Sequence, residues 1–297
     1  MTSDDGGVIG VQKVIDNGPA SKRFNLVILG DGYLRSELPS FAAHVAKFIE
    51  AFKAAAPFDS LWPAINIYRV DVVSTDSGAL DPLTCGDQSV GSGRQTRTYF
   101  DSTFCGDGQI RRLLTCNSQA VLSAAQAAVP EAHMTMLIVN TEEYGGSGGQ
   151  VATVSAHPSS VEIALHEMGH TAFGFADEYE YYAGCDRADA GHDRAGQPEP
   201  VEPNITVDTT LEQIKWKDVL SNRLDPLPTT SNPDCSRCDP QPNPQSDDYV
   251  GAFEGAGYFH CGLYRGSYNC RMRQLGHPFC MVCQQAIRQS FSPFLLP

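Results

Sequence analysis

Apolar residues fall into recognisable periods up to about residue 183 and lose them afterwards. Phe24-Asn-Leu-Val-Ile-Leu29 is a short apolar run that stops at Gly30-Asp31-Gly32, the form of a buried strand ending in a turn, and we read it as the first strand. From Ser36 to Ala56, Phe41, Val45, Phe48 and Phe52 recur at helical spacing and Pro57 closes the segment, which predicts an amphipathic helix. Ile65 to Ser74 is rich in β-branched residues and reads as a second strand, and Met134 to Val139 as a third, central one. A helix is predicted near Ser118 to Ala128. The glycine run Gly145 to Gly149 reads as a flexible hairpin turn, and Gln150 to Ala156 as a small-residue strand whose edge is open to an extended peptide. Between Asp186 and Gly255 Pro and Asp are frequent, and only Leu211 to Leu220 has helical character. The elements are those of an α/β protein: a twisted mixed sheet with helices in an N-terminal lobe of about residues 17–175, and a loop-rich, disulfide-bonded C-terminal lobe of about 176–297. The length suits one domain over residues 1–297.

Chemistry concentrates in VEIALHEMGHTAFGFADEY, residues 161–179. Ser159 and Glu162 stand in capping-box relation, so a helix should start there with Val161, Leu165, Met168 and Ala172 facing the core. His166 and His170, four residues apart, then share a neighbouring face where two imidazoles can meet one Zn²⁺. Glu167 lies about 100° around the helix from His166, placed for a zinc-bound water and not for the metal, the position of a general base. The bland alternative is a chance HExxH on a core helix. A catalytic zinc needs a third protein ligand. The long metzincin motif would place glycine at position 173 and the ligand at 176, where this chain has Phe173 and Ala176; Gly174 and Asp177 keep the spacing one residue later. Glycine can leave a helix at positive φ and turn the chain back. Asp177 is therefore the expected third ligand and Glu178 its rival, although either carboxylate could instead pair with an arginine. His192, His260 and His277 read as surface or loop histidines.

Charge and cysteine content narrow the class. Lys plus Arg number 21 against 35 Asp plus Glu, and the net charge of -14 opposes a nucleic-acid partner. No apolar run approaches the ~20 residues of a membrane span. Ten cysteines (85, 105, 116, 185, 235, 238, 261, 270, 280 and 283) suit a set of disulfides made in an oxidising compartment. The opening MTSDDGGVIG lacks the basic and apolar regions of a signal peptide, so the expectation is a leader removed upstream. The competing use of the thiols is structural zinc through Cys235-x-x-Cys238 and Cys280-x-x-Cys283. Asn204-Ile-Thr206 is a glycosylation sequon.

HEMGHTAFGFADEY, with Asn17-Gly-Pro through Leu29-Gly-Asp-Gly-Tyr33, Tyr68-Arg-Val-Asp-Val-Val73, and Cys270-Arg-Met-Arg273 with Phe279-Cys-x-x-Cys283, resembles the M64 family of metallopeptidases from about Asn17 to the end of the chain. The resemblance implies a secreted or cell-surface zinc endopeptidase with a metzincin-like catalytic domain, acting on a protein or peptide that need not be immunoglobulin A. With the spacing argument above, the expected site is Zn²⁺ on His166, His170 and Asp177, or Glu178 as its rival, with Glu167 as base. The resemblance also gives Met272 a role as the apolar floor beneath the zinc, for which a gap-filling core methionine is the equal alternative. One of Tyr258, Tyr264 and Tyr268 could hydrogen-bond the tetrahedral intermediate. Two other classes share these residues: a non-catalytic surface binding protein, disfavoured by the intact Glu167, and a zinc amidase acting on cell-wall peptides.

Overall fold

The computed structural model describes residues 6–181, 185, 193, 194, 196 and 198–295. The chain divides into two compact units, Met1–Ala172 with Phe291–Pro297, and Phe173–Ser290. In the first, the described elements are β1 (Gly6–Ile15), β2 (Phe24–Asp31), α1 (Leu38–Ala54), the short α2 (Phe58–Leu61), β3 (Ile65–Ser74), α3 (Ser118–Ala128), β4 (Met134–Val139), β5 (Gly146–Ser147), β6 (Ala152–Ser155) and α4 (Ser160–Phe173), which runs up to the boundary. The strands form one mixed sheet in the order β1-β3-β2-β4-β6-β5. Neighbours from β3 to β6 are parallel, and β1 and β5 join antiparallel at the two ends.

Burial on both faces explains why the inner strands are continuous apolar runs. Val27, Leu29, Val70, Val72, Leu137 and Val139 pack on one face with Val121 and Ala125 of α3 and with Phe100 and Phe104. On the other, a Cβ on Gly30 would stand 3.1 Å from Phe41 Cδ2 of α1. Phe41, Val45, Phe48 and Phe52 of α1 are all buried, as their spacing predicts, each contributing roughly 1.5–3 kcal/mol relative to exposure. At the end of β2, Asp31 ties the sheet to the loop after β3. Its Oδ1 accepts from the Ser74 hydroxyl at 3.0 Å and the Phe100 N–H at 3.1 Å, and its Oδ2 from the Ser102 N–H at 3.3 Å and hydroxyl at 2.5 Å.

Two expectations need correction here and a third needs refinement. Phe24–Asp31 is the second strand, because β1 precedes it; Val8, Ile9 and Val11 of β1 are exposed, and the strand is held by its backbone ladder to β3 and not by a buried face. The glycine run does turn a hairpin, over residues 148–151, but Gly146–Ser147 within it is itself a strand paired antiparallel with β6. Consequently β6 has no open edge: it is flanked by β4 and β5 and is buried throughout.

The second unit contains β7 (Ile205–Thr206), β8 (Phe253–Ala256), β9 (Phe259–Arg265) and most of α5 (Met281–Phe291). The strands form an antiparallel sheet in the order β7-β9-β8, which the glycine-rich sequence did not suggest. Its long loops are tied by Cys185–Cys238 and Cys235–Cys261, while Cys85–Cys105 staples the first unit. The predicted helix at 211–220 is a series of turns. Tertiary contacts override its propensity: the buried Trp216 donates from Nε1 to the Gly251 carbonyl at 2.7 Å, and Lys215 Nζ reaches the carbonyls of Pro200, Glu202 and Ile205.

Candidate metal centre

Helix α4 begins where the capping pattern predicts, with the Ser159 carbonyl accepting from the Ile163 N–H at 3.2 Å. Its buried residues include Ile163, Ala164, Leu165 and Met168, whereas Val161 and Ala172 of the predicted stripe are only half-buried. The core face is thus rotated toward the motif, and His166 and His170 emerge half-buried at its margin. Their Nε2 atoms are 3.2 Å apart with the rings nearly perpendicular, at 80°. Two nitrogens bound to one tetrahedral Zn²⁺ at ~2.05 Å would lie about 3.3 Å apart, so the imidazoles are spaced as ligands to a shared ion require.

The glycines after β4 lie directly against this helix. A Cβ on Gly148 would stand 3.0 Å from Glu167 Oε2 and 2.8 Å from His170 Cβ; one on Gly146 would stand 2.6 Å from Ile163 Cγ2. Only residues without a side chain allow the backbone this close to Glu167 and His170.

In the second unit, Gly174 has φ +64°, the left-handed conformation that ends a helix, and a Cβ there would meet nothing within 4 Å. The stretch that follows is held by several backbone hydrogen bonds. Asn204 accepts from the Ala176 N–H at 2.8 Å and donates to its carbonyl at 2.9 Å. The Glu178 N–H donates to the Met272 carbonyl at 2.7 Å, and the carbonyls of Asp177 and Tyr179 accept from the N–H groups of Gly257 and Tyr258 at 2.9 and 3.0 Å. Asp177 is buried, and the Tyr258 hydroxyl donates to its Oδ2. Tyr179 stacks edge-on against Tyr258, and burial, with Asp177 adding to it, pushes the Tyr179 phenol above its ordinary range.

Of the three tyrosines named from sequence, Tyr258 alone contacts a predicted site residue among the described contacts; Tyr264 donates to Glu254 Oε1 at 3.2 Å and Tyr268 to the Gln241 carbonyl at 2.9 Å. Met272 is fully buried. His260 is not a surface histidine: it lies in β9, buried, with Nδ1 3.1 Å from the Cys235 carbonyl. His277 is half-buried in a loop, and His192 lies outside the described residues. The sequon is also corrected, because Asn204 is fully buried and its amide is engaged by Ala176 and Glu178, leaving no room for a glycan.

Glu178, the rival ligand, faces a different environment. It is fully buried, its Oε1 accepting from Asn204 Nδ2 at 3.0 Å and from the Cys283 thiol at 3.4 Å. Burial, and next the neighbouring Cys280, push its carboxyl up to about 8. Cys270, Cys280 and Cys283 are unpaired and buried beside it. Burial drives the thiols of Cys270 and Cys283 well up, whereas hydrogen bonds from Cys270 and Cys283 hold Cys280 well below the ordinary thiol range. The suggested pairing of two zinc hairpins fails, since Cys235 and Cys238 are both consumed by disulfides.

Comparison with known families bears on this geometry directly. The family described as IgA Peptidase M64 matches residues 12–237 and 241–291. The chain belongs to this family. Comparison with curated proteins gives no match. Membership of M64, a family of metallopeptidases, makes the chain a peptidase by family.

Proposed function

We propose that the chain is a zinc-dependent endopeptidase with a metzincin-like catalytic domain, residues 1–297, working outside the cell or at its surface. The observation that carries this reading is the 3.2 Å approach of His166 Nε2 to His170 Nε2 on successive turns of α4, in a member of a peptidase family. Asp177 is the third ligand in this proposal. Two neutral imidazoles and a carboxylate are a donor set that zinc takes, and Gly174 at positive φ provides the change of direction that the Gly174-x-x-Asp177 spacing needs. Tyr258 fixes the Asp177 carboxylate through its hydroxyl.

Bound there, zinc would lower the pKa of a water towards ~7 and polarise the scissile carbonyl. Glu167 accepts the proton of the attacking water and later delivers it to the leaving amine nitrogen. Met272 serves as the apolar floor of the site. The substrate backbone lies extended along Ser147–Gly149, where Gly148, lacking a side chain, brings the backbone just past the sheet's last strand close to Glu167 and His170. The substrate class is protein or peptide; immunoglobulin A belongs to the family's description and is not assigned to this chain.

Three disulfides, and among the described residues no helix long and apolar enough to cross a membrane, support the extracellular setting. Unfolded casein should be cleaved by the purified chain, cleavage should stop on treatment with a zinc chelator, and added zinc should restore it. Casein cleavage that survives metal removal, or activity confined to peptidoglycan fragments, would refute the proposal.

A further inference from the structure

We infer that the second unit contains a separate, closed zinc site made by Glu178, Cys270, Cys280 and Cys283, whose task is structural. One carboxylate oxygen of Glu178 and the three Sγ atoms all lie within 4.8 Å of one another, and all four residues are buried. Cys270 Sγ is 3.7 Å from Cys283 Sγ, and Cys283 Sγ is 3.4 Å from Glu178 Oε1. A disulfide needs its sulfurs ~2.05 Å apart. A tetrahedral zinc with Zn–S near 2.3 Å and Zn–O near 2.1 Å instead sets S···S edges of about 3.8 Å and S···O edges of about 3.6 Å. The observed edges match the second geometry.

The composition of the cluster points the same way. Three thiols are an odd number, so any disulfide would strand one of them together with a buried carboxylate. Glu178 Oε2 is buried and makes no hydrogen bond among the described residues. A metal uses all four groups at once. The surroundings resemble a prepared thiolate site: the Cys280 N–H donates to Cys270 Sγ at 3.3 Å, Asn204 orients Glu178 through Oε1, and the buried Arg265 supplies positive charge that acts on Glu178. Cys280 immediately precedes α5 and Cys283 lies in its first turn, while Cys270 belongs to the turn that carries Met272. With four protein ligands the site leaves no position for a substrate, which is the mark of structural zinc. Its product is order: the ion would join the start of α5, the Met272 turn and the segment bearing Asp177. The other grouping around Cys185 and Cys238 carries nothing, because those sulfurs form a disulfide.

The test separates this ion from the one on α4. A His166→Ala/His170→Ala variant, reconstituted with zinc, is expected to keep about one ion per chain with a sulfur-dominated shell by X-ray absorption, and with cobalt(II) to show an intense thiolate charge-transfer band. Adding Cys283→Ser should lower the band's intensity per bound cobalt(II) and weaken zinc binding by at least about tenfold. Should that triple variant not fold, the unaltered chain decides: about two zinc ions and a shell of mixed nitrogen and sulfur are expected. A double-histidine variant that folds and binds no zinc, a shell without sulfur, or a fourth disulfide revealed by intact mass would overturn the inference. Loss of peptidase activity alone bears only on the α4 site.

Discussion

At the scale of single residues, what could be read from the sequence was what one helical repeat contains. His166, Glu167 and His170 are within a turn or so of each other on α4, so their spacing alone predicts their juxtaposition. Glu178 could not be read the same way, because its partners come from Cys270 to Cys283, far along the chain, and the adjacent Asp177 looked chemically equivalent. Asn204 was misread for a related reason: a sequon is a local pattern and carries no information about burial. Tyr258 could be named but not chosen over Tyr264 and Tyr268, since its contact with Asp177 depends on the loop at Gly257–Tyr258, where both residues have positive φ. If Tyr258 positions Asp177 as a ligand, Tyr258→Phe should weaken zinc binding at the α4 site by about 10–100-fold. Competition titration with a zinc indicator in the two proteins measures this. Equal affinities would remove Tyr258 from the site.

At the scale of elements, β3, β4 and α3 have the bounds that periodicity predicts, and α1 differs by two residues at each end. Buried parallel strands and an amphipathic helix carry their environment in their side chains. Elements held by other means were illegible: β1 by its ladder to β3, β5 by pairing with β6, and the turns at 211–220 by the capture of Lys215 and Trp216. Asp31 belongs with these, as a strand-end carboxylate whose four donors come from Ser74, Phe100 and Ser102. Asparagine has one acceptor oxygen and would turn an NH₂ toward donors. Asp31→Asn should therefore destabilise the fold by about 1–3 kcal/mol, the cost of leaving a buried donor unmatched. Urea unfolding would register it as a lower midpoint with an unchanged slope.

At the scale of the whole molecule, ten cysteines correctly signalled disulfides, and pairing was the part that spacing could not supply. Six are paired and three of the remaining four gather around Glu178, so thiol content alone would have missed a division of labour between cross-linking and metal binding. The membership in M64 gives the chain its reaction class, and the proposed place of that reaction is the histidine pair on α4. The central claim is that Glu167 is the base beside a zinc held by His166 and His170. Glu167→Gln tests it most directly, because the amide keeps the shape of the side chain and cannot accept the proton. Zinc content and casein cleavage should be measured on the same preparation. Zinc equal to that of the unaltered chain, with turnover reduced by about 10²-fold or more, is the predicted result; retained turnover at full zinc occupancy would contradict the assignment.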